Sequence, residues 1–588
     1  MKKIIPLICL CAIALSAQSQ DWQRKVDPAL LTQTAHGKAA EFIIVLTTQA
    51  DLSAAKNLQT KEEKGTFAFR KLQQTALQTQ KPIIQILQQQ KAPVQSFFIV
   101  NAILSQGNQQ LIKLLADHPA VAQLHFNPMV QMEYPFPDRS ANEIQYREGI
   151  EWGIQKIKAD QVWALGYTGQ GAVVGGQDTG YDWEHPAIKA KYRGWDGLSA
   201  DHNHHWHDAI HKLNPLNGDT TNAALNPCGL DSAVPCDDDD HGTHTMGTMV
   251  GDDGMGNKIG VAPGARWIAV RNMERGWGSP ATYIEGFQWF IAPTDLNDQN
   301  PDPNKAPHVI NNSWGCPPIE GCNPFNFSLM NQVVNNVKAA GIAVVTSAGN
   351  SGSGCNSINT PAAIFENSFA IGASRQNDTI AGFSSRGTVT VDSSNRLKPN
   401  VVAPGVGVRS SIRGNGYSSF SGTSMAGPHV AGLVALLISA NPKLAGQVEQ
   451  IETIIEETAT PMQSNQQCGD ASGLNIPNAV YGFGRIDALA AVQRALQLST
   501  DTEEASQKMA VAVFPNPTSG QLTFQIEGIS GEAVLSVFNM AGQLLQHHTL
   551  EVQRVLLQPI DLQNLPAGIY LYRLKNGSAI ASGRIVKN

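Results

Sequence analysis

Apolar and polar positions follow three different rhythms along the chain. In Glu41–Thr47 (EFIIVLT) five apolar residues run together, which predicts a strand. Lys61–Gln90 is rich in Gln and Lys with few breakers, and predicts one long helix. Val94–Leu104 predicts a strand, Gln109–Asp117 a short helix and Val121–Met132 a pair of strands. This alternation describes a small α+β unit over residues 20–144. From 145 to 498 apolar runs alternate with helical segments, the pattern of an α/β unit with a parallel sheet and helices on both faces. Ala172–Gly176 leads into Asp178, and Trp267–Val270 is a second run. Val309–Ile310 enters Asn311-Asn312-Ser313, and a helix over Ser328–Ala340 precedes Ile342–Thr346. Pro428 is expected in the first turn of a helix continuing to Ala440. Each run ends in a polar or Gly-rich turn, and in such sheets function gathers at the carboxyl ends of the strands. Residues 499–508 are polar and predict a linker. Residues 509–588 predict a small all-β sandwich of short strands at Leu522–Ile526, Ala533–Phe538, Val555–Leu557 and Ile569–Leu574.

A length of 588 residues suggests several domains. Apolar residues make up 42% and charged residues 15%, so the chain has material for a large core and too little charge for a disordered protein. With 42 Lys+Arg against 49 Asp+Glu the net charge is −7, which argues against a nucleic-acid partner. No internal apolar run is expected to span a bilayer. At the N-terminus, Lys2 and Lys3 precede an apolar run from Ile4 to Ala17, so residues 1–19 are expected to be a secretory signal peptide. Six cysteines follow it: Cys228, Cys236, Cys316, Cys322, Cys355 and Cys468. An even number in an exported chain favours disulfides. Close spacing favours Cys228–Cys236 and Cys316–Cys322, leaving Cys355–Cys468. Zinc is the rival reading, but no CxxC pair is present.

Three segments carry the candidate chemistry. Val173–Gly180 (VVGGQDTG) places Asp178 at the end of a strand. His241–Gly247 (HGTHTMG) places His241 at a Gly-flanked helix start, and Gly422–His429 (GTSMAGPH) places Ser424 just before a helix. Alone, each is a common turn or cap. Together, in the order Asp, His, Ser on an α/β pattern, they resemble the subtilisin family of serine peptidases across roughly 145–498, and the order is that family's own. The resemblance implies that Ser424 is the nucleophile, His241 the general base and acid, and Asp178 the group that orients His241. A serine hydroxyl is a weak nucleophile until a base takes its proton, and histidine does so near neutral pH. Ser347–Gly352 (SAGNSG) resembles the family's oxyanion segment, with Asn350 as side-chain donor. Gly276-Trp277-Gly278 and Ser313-Trp314-Gly315 stand where the family pairs an extended substrate with its own backbone; the bland reading is Gly turns with a buried Trp.

Two clusters invite other readings. His202, His204, His205, His207 and His211 fall within ten positions, but HExxH is absent, so solvated histidines on a surface loop are preferred to a metal site. Asp237–Asp240 precede His241 and read as calcium ligands, as a preference for basic side chains next to the cleavage point, or as a solvated run. No metal ligand is assigned. Catalysis is expected to need no cofactor, and a structural calcium ion is compatible with the family.

The resemblance also implies that the first unit is a chaperoning and inhibiting propeptide whose tail, near Pro128–Arg147, lies in the cleft before self-cleavage. Val513–Gly520 (VFPNPTSG), Val537–Gly542 (VFNMAG) and Leu565–Tyr570 (LPAGIY) resemble the C-terminal sorting domain of the type IX secretion system. That implies a Bacteroidota-type bacterium, a Sec signal peptide, and export across the outer membrane to the medium or the cell surface. The expected partners are protein or peptide substrates, the chain's own propeptide and the secretion machinery, with the enzyme a monomer. A non-catalytic adhesin on a decayed scaffold and a metallohydrolase using the histidine cluster are the competing functions.

Overall fold

The structure, a computed structural model, describes residues 21–133, 136–137, 148–217, 226–316, 322–505, 510–540, 542–576 and 579–588. The expected signal peptide lies outside them. Described residues up to Ala495 form one compact unit, and those from Leu496 a second.

After a short helix (Pro28–Gln33), the N-terminal part holds β1 (Ala40–Leu46), α1 (Lys61–Thr79), α2 (Lys81–Gln89), β2 (Gln95–Phe97), β3 (Ala102–Gly107), α3 (Gln109–Ala116) and β4 (Val121–Phe126). Its antiparallel sheet has the order β2-β3-β1-β4. The unbroken apolar run of β1 has a physical cause: both faces are covered. Phe42, Ile44 and Leu46 join Leu111, Ile112 and Leu124 in a small core. Ile43 enters a larger core with Phe287, Val333 and Val337 of the central sheet's helices. The single helix expected over Lys61–Gln90 is broken at Gln80, because Pro82 cannot continue the ladder and instead opens α2. The strand expected over Val94–Leu104 is a hairpin: β2 pairs β3 antiparallel, and the chain turns between Phe97 and Ala102. The strands expected in Val121–Met132 do not pair with each other. β4 pairs β1, and β5 (Val130–Gln131) pairs elsewhere, as does β6 (Phe136–Pro137).

The central sheet has seven parallel strands. They are β7 (Val173–Asp178), β8 (Trp206–Asp208), β9 (Arg266–Arg271), β11 (Val309–Asn312), β12 (Ala343–Ser347), β13 (Phe369–Ser374) and β14 (Val401–Pro404). Their order is β14-β13-β12-β11-β7-β9-β8. Between them lie α4 (His241–Val250), the short strand β10 (Trp277–Gly278), α5 (Pro280–Ile291) and α6 (Phe327–Ala339). After them come β15 (Gly416–Ser421) and α7 (Thr423–Ala440). α7 is long and apolar enough to cross a membrane by length and composition, contrary to the sequence expectation, yet it is buried against the sheet. It also starts earlier than expected, at Thr423, which puts Pro428 in its interior. The missing Pro428 N–H would have bonded the Ser424 carbonyl, four residues back. That freed oxygen accepts from Ser313 Oγ at 3.4 Å.

The polar stretch expected to be a linker from 499 continues a helix, α8 (Ala488–Ala505). The C-terminal unit holds β16 (Ala510–Phe514), β17 (Gln521–Phe538), β18 (Leu544–Asp561), β19 (Gly568–Asn576) and β20 (Ala579–Lys587), all antiparallel. The separate strands expected at Leu522–Ile526 and Ala533–Phe538 are one strand with a register shift between Glu527 and Ser530. Gly528 and Gly531, at φ 78° and 87°, form a bulge there rather than a hairpin turn.

Candidate functional site

The candidate residues meet at the carboxyl end of the parallel sheet. β7 ends on Asp178, whose Oδ1 accepts from Thr179 N at 2.8 Å and lies 2.7 Å from His241 Nδ1. His241 opens α4, and both side chains are 1% exposed. Only glycine fits beside it, since a Cβ on Gly242 would come within 2.0 Å of Gly180 O. His241 Nε2, the other ring nitrogen, is buried without a hydrogen-bond partner. Burial opposes protonation of this ring. The Asp178 charge and hydrogen bond, with Asp239 and Asp237 behind them, outweigh it and raise the His241 pKa above its ordinary value.

Ser424 is the second residue of α7, 3% exposed, and α7 packs against α4. Asn350 is tied to the residue before it: its Oδ1 accepts from Thr423 N at 2.9 Å and Thr423 Oγ1 at 3.0 Å. That commits the oxygen and leaves the Nδ2 amide as the donor. Gly276-Trp277-Gly278 forms an edge on which another strand lies. β10 pairs antiparallel with β5, Trp277 opposite Gln131 and Gly278 opposite Val130, and Met132 N donates to Gly276 O at 2.8 Å. Ser313 accepts from Asn311 Nδ2 at 3.0 Å besides bonding the Ser424 carbonyl. Trp314 is a core side chain, stacked on Tyr283 with ring centres 3.9 Å apart, and Gly315 follows it.

The Asp run is not the solvated stretch that its composition suggested. Asp237 is buried and accepts from Thr179 Oγ1 at 2.8 Å and from Thr243 N and Oγ1 at 2.9 and 2.6 Å. Asp238 is buried against Arg271 at 3.2 Å and accepts from Arg275 N. Asp240 pairs with Arg413 at 2.7 Å. These partners engage both oxygens of Asp237 and of Asp238 and one oxygen of Asp240. Arg271 went unnoticed in the sequence. Its one signal was a charge closing the otherwise apolar strand Trp267–Val270. It is fully buried, forks onto Asp208 at 2.9 and 2.8 Å, and stands opposite Asp178 in the β7–β9 register.

The histidine cluster is partly exposed, as expected, and is also hydrogen-bonded. His207 and His211 converge on Glu285 Oε1 at 2.8 and 2.7 Å, and Asp231 holds the other side of His211 at 2.5 Å. The hydrogen bond to Glu285 leads in pushing His211 up to about 10. Burial opposes ionisation of Glu285, but the two histidines hold it down to about 2. His202 meets Tyr192 Oη at 2.9 Å, while His204 and His205 bond the carbonyls of Pro293 and Asp201. Among the described residues no group of three or more His, Cys, Asp or Glu is placed to hold a metal ion. Disulfides join Cys228–Cys236, Cys316–Cys322 and Cys355–Cys468.

Residues 169–484 match the profile of the subtilase family, peptidase S8. The chain belongs to that family. It is a serine-type endopeptidase by membership, and residues 512–588 match the secretion system C-terminal sorting domain, the type IX module. Bacillopeptidase F of Bacillus subtilis (strain 168) is 36% identical over 473 residues, 77% of this chain but only 30% of that relative's length. Alkaline elastase YaB of Bacillus sp. (strain YaB) is 31% identical over 338 residues, 56% of this chain and 70% of the relative. Subtilisin E of Bacillus subtilis (strain 168) is 29% identical over 399 residues, 68% and 82% of the two chains.

Proposed function

We propose that this subtilase is a secreted endopeptidase that cuts proteins through an acyl-enzyme on Ser424 and is made as a self-inhibited precursor. The observation that carries the reading is the buried His241. Its Nδ1 is bonded to Asp178 and its Nε2 is unpartnered. That is the state of a base waiting for a proton. His241 takes the Ser424 proton as Oγ attacks the carbonyl, and returns it to the departing amine. Asp178 holds the tautomer and stabilises the imidazolium. Asn350 Nδ2 and the Ser424 N–H donate to the oxyanion, whose charge the start of α7 also favours. Water then releases the acyl group. The precursor reading rests on β5: residues 130–132 occupy the strand edge 276–278 that an extended substrate would use.

The test is intact mass and N-terminal sequence of residues 21–498, wild type beside Ser424→Ala. Only the wild type is expected to lose its first unit. The expected loss of peptide hydrolysis in the mutant is about 10⁶-fold, the size associated with subtilisin, a member of the same family. Normal turnover by purified Ser424→Ala would refute the nucleophile. Because the His241 pKa is raised, activity is expected to fall with acidification through a midpoint above the ordinary histidine value of about 6.5. A rate that stays flat far below that value counts against the base.

A further inference from the structure

The chain on either side of Glu133 is anchored near the proposed nucleophile. On one side, Val130–Met132 is bonded to the 276–278 edge. On the other, β6 pairs antiparallel with β15, Pro137 opposite Phe420 and Phe136 opposite Ser421, and Ser421 stands three residues before Ser424. Between these anchors sits Glu133. Its Oε2 accepts from Asn350 N at 2.6 Å and its Oε1 accepts from Ser351 Oγ at 3.2 Å. Asn350 is the residue whose own side chain is fastened to Thr423. The Glu133 side chain is therefore held beside the proposed oxyanion donors, at a site open to solvent.

We infer that this site recognises an acidic side chain, and that Glu133 occupies it as the residue whose carbonyl is attacked in self-cleavage. The inference rests on the peptidase reading above and adds its substrate class. Two donors aimed at one carboxylate form charge-assisted bonds, which are shorter and stronger than neutral ones. A site that bonds a substrate group favours substrates that carry it over those that lack it. The step balances. Ser424 Oγ bonds the Glu133 carbonyl carbon, His241 passes the serine proton to the Tyr134 nitrogen, and the Glu133–Tyr134 bond breaks. Water hydrolyses the ester, leaving Glu133 with a free α-carboxylate. Of the two bonds beyond it, before Phe136, one joins the nitrogen of Pro135.

The experiment uses the full chain. After processing, its new N-terminus is sequenced, and the mature enzyme is given matched peptides with Glu, Gln, Leu or Lys before the scissile bond. The expected N-terminus is Tyr134, with kcat/KM about 10- to 100-fold higher for Glu than for Leu. Ser351→Val is expected to lower that Glu-to-Leu ratio about tenfold, a readout that a general folding defect does not move. Processing of Glu133→Leu is expected to slow by a similar factor. A first cut elsewhere, or a Glu-to-Leu ratio at or below one while Leu peptides turn over, overturns the inference and leaves the peptidase standing. No turnover of any peptide, with no labelling of Ser424 by a serine-directed phosphonate, overturns the peptidase reading itself.

Discussion

The modules that precede and follow the central sheet in the chain complete their cores in different ways. The N-terminal one has a small core of its own and shares a second. One face of β1 packs inside the module, and the other shares a core with Phe287 and Val333 of α5 and α6. Its backbone is tied across the same boundary: Gln288 Oε1 accepts from Phe98 N and Ile99 N at 2.6 and 3.2 Å, and Asn336 Nδ2 donates to Ile99 O at 2.6 Å. Gln95 Nε2 donates to Glu285 at 2.6 Å, and Lys212 pairs with Glu41. The C-terminal module encloses its own core of Leu522, Phe524, Leu535, Val537 and Leu574. The contrast separates a part whose surface is shaped to one enzyme from a part that carries its information in its own fold.

Deleting residues 509–588 is the largest test of that contrast. Export to the medium or the surface of the native host is expected to be abolished, while the purified truncated enzyme keeps its kcat/KM. Normal export would remove the distinction. Next is acid. His125 of β4 lies edge-on to Phe325 at 5.4 Å, with both ring nitrogens unpartnered. Burial pushes its pKa down to about 4. The sign follows directly: a histidine held neutral stabilises the folded precursor fully above about pH 6.5, and that contribution is lost as pH falls toward 4. The loss amounts to about 3 kcal/mol. Thermal unfolding of the uncut Ser424→Ala chain is expected to show this drop, and His125→Phe to flatten it. A pH-independent midpoint for both would discount the histidine. The smallest effect is Gln288→Ala, which strips the acceptor from two backbone donors at the boundary, a cost of about 1–3 kcal/mol. Hydrogen exchange at Phe98 and Ile99 is expected to quicken in the uncut chain, with the C-terminal module unchanged.

Legibility in the sequence follows how local each signal is. The placement of Asp178 at a strand end and of His241 and Ser424 at helix starts was readable because each sits in a short Gly-rich motif. Two disulfide pairs were readable from close spacing, and Cys355–Cys468 as the pair left over. Arg271 was not, because its partners Asp208 and Asp238 lie 63 and 33 positions away. Nor were the roles of His207 and His211, which depend on Glu285 more than 70 positions on. The breaks at Gln80 and after Phe97 were missed where Pro82 and a turn outweighed an even composition. The bulge in β17 was missed because two glycines read as a turn.

The Cys228–Cys236 bond closes a loop that ends at the doorstep of the site. Cys236 O accepts from Tyr181 N at 3.1 Å, and Asp237 binds Thr179, so the end of this loop is stitched to the segment that follows Asp178 and leads into His241. Gly180, at φ 110°, permits the approach, since a Cβ there would come within 1.8 Å of that oxygen. A thiol-reducing cytosol leaves the loop open and withholds the restraint a closed one places on the unfolded chain. The stitch between the aspartate and histidine segments is thus one that an oxidising compartment completes.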